Sequence, residues 1–129
     1  MAMTRMRSPL GRAIGLGSAK EGVNHWWAQR ITAVALVPLV LWLVVSIIVL
    51  AGADRAALVA WLHNPMAAVL LVLLLVAVFH HTALGLQVVI EDYVHGEGTK
   101  LGLIVAMRLL CIVFAVRGIF AVLKLALGA

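Results

Sequence analysis

Three long apolar runs leave this chain no compact water-soluble option. From Ile31 to Leu50 no side chain carries a formal charge, and from Met66 to Phe79 every residue is apolar. A third run, 101–127, is charged only at Arg108, Arg117 and Lys124. A helix needs about 20 apolar residues to cross a bilayer's hydrocarbon, and 129 residues hold three such helices and little else. The chain is 65% hydrophobic and 12% charged, against about 45–50% and about 25% in soluble domains. The expected fold is an all-α membrane protein, one domain over 1–129. It comprises a basic arm (1–23) and three transmembrane helices at about 24–51, 65–94 and 100–127.

The net charge of +5 does not point to nucleic acid. The basic residues begin with Arg5, Arg7, Arg12 and Lys20, outside the apolar runs, where they act as a topology signal rather than a phosphate-binding face. The lone Cys111 lies within an apolar run and can form no intrachain disulfide. The first 22 residues lack the apolar stretch of a secretory signal. The Arg-rich stretch up to Lys20, which holds no acidic residue, resembles a mitochondrial presequence only faintly, being poor in serine and close to the first span.

Asn24 reads as a cap for the first helix, and His25, Trp26 and Trp27 sit where an aromatic belt meets the headgroups. Pro38 removes a backbone donor, so a kink is expected there. Residues 51–63 read as a polar turn region containing Gly52, Asp54, Arg55 and Trp61. Asn64-Pro65 is a strong helix start, and 95–99, HGEGT, a glycine-containing turn before a helix from Lys100. The arm and second loop hold Arg5, Arg7, Arg12, Lys20 and Lys100, whereas the first loop and tail hold Arg55, with Lys124 just inside the third span. The positive-inside rule then puts the N-terminus in the cytoplasm and the C-terminus on the periplasmic side.

The second helix carries the chemistry. Its first half is apolar, whereas the second half holds His80, His81, Gln87, Glu91 and Asp92. Ionisable groups within a span cost about 2.5–3.5 kcal/mol each on insertion scales, so they face protein, cofactor or water. At 3.6 residues per turn, His81, Gly85, Val88 and Asp92 form one stripe, and His80, Leu84, Gln87 and Glu91 another about 100° round. His81 lies about 16–18 Å from the helix end, near the bilayer centre. A neutral imidazole there, beside the notch left by Gly85, suits axial ligation of a b-type haem. An imidazole hydrogen-bonded to a partner helix suits the same position equally on this ground alone. His80 points elsewhere and better suits a structural or propionate contact. No other histidine lies at mid-depth, so a second axial ligand has to come from another chain.

At these residues the sequence resembles the small hydrophobic anchor subunit, or D chain, of succinate:quinone oxidoreductase, respiratory complex II. The carrying motifs are HTALGLQVVIEDY, from His81 through Gly85 to Asp92-Tyr93, and GVNHWWAQRITA, where Arg30 precedes Thr-Ala at the helix start. The upstream GLGSAKEG is similar to proteobacterial members. The resemblance implies a non-flavin subunit of an enzyme that oxidises succinate on a separate flavoprotein subunit. An iron–sulfur subunit passes the electrons on, and ubiquinone is reduced where it meets the anchors. It implies that His81 ligates haem b jointly with a histidine of a larger cytochrome b anchor subunit. Tyr93 would then hydrogen-bond a quinone carbonyl with Asp92 in support, and Arg30 would contact the haem propionates. The implied location is the bacterial inner membrane, with the mitochondrial inner membrane as the alternative.

Each role has a physical counterpart. A phenol donates to a quinone oxygen, a carboxylate near the surface relays protons, and a guanidinium pairs with propionates. On position alone Tyr93 also suits an aromatic belt, and Arg30 suits snorkelling to headgroups. Arg108 and Arg117, both within the third span, depart from the family pattern. Two other functions predict the same polar face: a haem-free structural anchor, and a proton-relay subunit of a small transporter using His80, His81, Glu91 and Asp92.

Overall fold

A computed structural model of the chain describes residues 8–10 and 20–128. The expected basic arm, with Arg5, Arg7, Arg12 and most of the GLGSAKEG stretch, lies outside the described residues. Four helices follow in order: α1 (Lys20–Val49), α2 (Arg55–Leu62), α3 (Pro65–Tyr93) and α4 (Glu97–Ala126). No strand occurs among the described residues. Three helices, α1 from Gly22, α3 and α4, are long and apolar enough to cross a membrane.

The start of α3 follows the sequence closely. Asn64 Oδ1 accepts from the Met66 amide at 3.0 Å, and Pro65 occupies the first helical turn, where its missing N–H costs nothing. Three other local expectations are corrected. The first helix already includes Lys20, so Asn24 is an interior residue and not the cap. A cap contributes about 1 kcal/mol, and extending an existing helix by a further turn gains a backbone hydrogen bond for each residue added. Pro38 lies inside α1, within the span where the sequence places it. Residues 51–63 are not a plain turn, because α2 forms behind the Asp54 cap, whose Oδ1 accepts from the Ala57 amide at 2.8 Å. The fourth helix starts at Glu97, not Lys100, and the two side chains pair across that first turn at 3.6 Å. The Glu97 carboxylate also offsets the positive helix end.

The small helix α2 is tied down at its C-terminal end. Trp61 stacks on Trp42 of α1, centroids 5.7 Å apart and planes 20° from parallel. His63 Nδ1 donates to the Ala126 carbonyl oxygen at 3.1 Å, satisfying an acceptor at the end of α4.

The long helices are not packed in a ring. α3 lies between α1 and α4, which do not pack on each other. Among the described residues only Ala67, Ala68, Leu74 and Leu84 are buried, all on α3. Close packing against α4 is set by Gly118, where an added Cβ would stand 3.2 Å from both methyls of Leu75. One open flank of α3 therefore becomes a groove between α1 and α4.

Candidate functional site

His81 is half-buried and turned to α1, where its Nδ1 lies 3.0 Å from Thr32 Oγ1. Thr32 bonds back to its own helix, with Oγ1 2.7 Å from the Ala28 carbonyl oxygen and 3.1 Å from that of Gln29. This back-bonding is the habit of a threonine in an apolar helix, whose hydroxyl otherwise has no acceptor. The ring's other nitrogen, Nε2, has no partner among the described residues. Gly85, one turn on, faces α1 as well, and the Gln29 amide nitrogen lies 3.7 Å from where its Cβ would stand. The notch read from the sequence is thus covered on that side by Gln29.

His80 is exposed and belongs to the other flank. It lines a cleft of about 240 Å³ between α3 and α4, with Phe79, Leu84, Arg108 and Cys111 among its walls. The two adjacent histidines therefore serve different surfaces, as the 100° helical step requires. A more polar cleft of about 590 Å³ opens nearer the Tyr93 end, walled by His25 and Ala28 of α1, by His80, Gln87 and Glu91 of α3, and by Arg108 of α4. Gln87 bridges its length, because Nε2 donates to Glu91 Oε1 at 2.9 Å and Oε1 accepts from Arg108 Nη2. Beside it, His25 Nε2 and Gln29 Oε1 are buried without partners.

Sequence reasoning missed this network. Its available signal was the Gln87–Glu91 spacing of one turn together with the depth of Arg108. The remaining sequence candidates are dispersed. Arg30 is exposed, and its guanidinium carbon lies 5.2 Å from the Trp26 ring centroid, a cation–π arrangement. Asp92 and Tyr93 are exposed at the end of α3, Tyr93 79% so, and neither hydrogen-bonds within the described chain. Asp92 falls about 20° from His81 around the helix and Tyr93 about 120°. Among the described residues no three His, Cys, Asp or Glu side chains converge to hold a metal ion. Any iron taken by His81 needs further ligands from outside that set.

Fold and site define a multi-pass membrane protein whose middle span carries all its ionisable groups on one half. The chain belongs to the succinate dehydrogenase/fumarate reductase transmembrane subunit family, whose model matches residues 4–115. It is similar to a Rickettsia bellii protein named succinate dehydrogenase hydrophobic membrane anchor subunit, 36% identical over 116 residues, covering 90% of this chain and 93% of that one. A Paracoccus denitrificans protein of the same name is 30% identical over 125 residues, 97% and 96% of the two chains. The Reclinomonas americana succinate dehydrogenase membrane anchor subunit is 32% identical over 96 residues, 72% and 80%.

Proposed function

We propose that this chain is the small membrane anchor of a succinate dehydrogenase in a bacterial inner membrane, where His81 would supply one ligand to the iron of haem b and Tyr93 and Asp92 would form part of a ubiquinone-reduction site. The observation that carries this reading is His81: a half-buried imidazole well inside a membrane-length helix, held at Nδ1 and unpartnered at Nε2. That donor fits haem iron, and bound haem b supplies a one-electron redox centre. The chain offers a single suitable imidazole at that depth, so the second ligand is assigned to the larger cytochrome b anchor.

The other roles follow the chain's own groups. The Tyr93 phenol donates a hydrogen bond to a quinone carbonyl oxygen, polarising it for reduction. Asp92 beside it moves a proton between the site and the membrane surface. Exposure of both side chains suits a pocket closed by the iron–sulfur subunit, which receives electrons from the flavoprotein subunit. Arg30, exposed near the same end, pairs with the haem propionates. Placing the N-terminus in the cytoplasm and the C-terminus in the periplasm accords with the basic arm and Lys100.

The test is spectroscopic. In the purified complex, replacing His81 with leucine removes or alters the reduced b-haem absorbance, while His80→Leu changes it little. An unaltered spectrum in the His81 variant overturns the ligand assignment.

A further inference from the structure

We propose that Thr32 is a positioning residue for His81, its hydroxyl fixing the imidazole as the Nδ1–H tautomer and so reserving the Nε2 lone pair for iron. This rests on the ligand reading of His81 and adds to it a residue on a different helix.

Proton accounting carries the inference. Thr32 Oγ1 and the Ala28 carbonyl oxygen are 2.7 Å apart, a separation that two oxygens hold only with a hydrogen between them. A carbonyl oxygen has none to give, so the hydroxyl hydrogen is committed to Ala28, with Gln29 O at 3.1 Å as a weaker second acceptor. Toward His81 the hydroxyl then offers lone pairs alone. Nδ1 stands 3.0 Å from it, and two facing lone pairs at that distance repel. Nδ1 therefore carries a hydrogen and donates it to Thr32.

A neutral imidazole protonated at Nδ1 has its free lone pair at Nε2. Only the neutral ring has that lone pair to give, and it is the form that ligates a metal. The bond also makes the ring a stronger electron donor, the effect of an acceptor on the far nitrogen of a metal-bound histidine. Threonine suits the task because its branched Cβ limits side-chain rotation and the bond to Ala28 holds the oxygen in place.

The experiment compares Thr32→Val, Thr32→Ser and His81→Leu in the intact complex, reading haem content, haem midpoint potential and the low-spin electron paramagnetic resonance signal. Thr32→Val is expected to weaken haem retention about 10–100-fold. The haem it keeps should show a raised midpoint, because a less electron-rich ligand favours ferrous iron. Thr32→Ser restores the hydroxyl and with it the parental potential and signal. If Thr32→Val does not assemble, Thr32→Ala makes the same comparison without the bulk. Parental potential, retention and signal in a hydroxyl-free variant overturn the role of Thr32, and the ligand reading survives so long as His81→Leu alters the haem. An unaltered haem in His81→Leu overturns both.

Discussion

Tyr93 is among the most exposed large side chains of the described residues, at 79%, although it ends the helix that supplies every buried residue among them. A phenol left so open, next to the exposed Asp92, is arranged for something outside the chain. Tyr93→Phe keeps the ring and removes the O–H. Quinone reduction by the complex is expected to fall about 10-fold, the effect of losing roughly 1.4 kcal/mol at one hydrogen bond. Succinate oxidation with an artificial acceptor should be spared, and equal loss of both activities would mean a defect of assembly. At this scale the sequence located residues better than it located their neighbours. Helical arithmetic separated His80 from His81, and the structure turns them to different flanks. Nothing in the sequence paired His81 with Thr32, because that contact depends on how α1 rotates against α3.

At the scale of elements, glycine decides how closely α3 and α4 approach. The Cβ of any larger residue at Gly118 meets Leu75 at 3.2 Å, so Gly118→Val is expected to cost about 1–3 kcal/mol by overpacking. A lower thermal midpoint of the complex would report it. Gly98, with nothing within 4 Å, is the control, and Gly98→Ala should hold the midpoint or raise it slightly. The long helices were legible because an apolar run of bilayer length has one solution. Asn64-Pro65 was legible because side-chain chemistry and backbone geometry agree there. The helix α2 was not, since Asp54, Arg55 and Gly52 read as turn residues, and the stacking of Trp61 on Trp42 is a tertiary contact. The starts of α1 and α4 were placed late because a cap signal is worth only about as much as one or two backbone bonds.

Among the described residues, burial is confined to α3, and α1 and α4 expose apolar side chains along their length. Lipid covers such a surface, but lipid does not suit Arg117, which is exposed and makes no ion pair among the described residues. Nor does it suit the Arg108–Gln87–Glu91 network. The chain is therefore expected to purify from mild detergent with a flavoprotein, an iron–sulfur protein and a second hydrophobic chain, identifiable by mass spectrometry. Recovery of a stable, solitary monomer would contradict the anchor assignment.

Because α1 and α4 do not pack on each other, the contact between Thr32 and His81 draws on no side chain of α4. Both partners precede α4 in the chain. The half of the protein that holds the imidazole can thus settle as a helical hairpin in its own right, leaving the final helix to stiffen the opposite side.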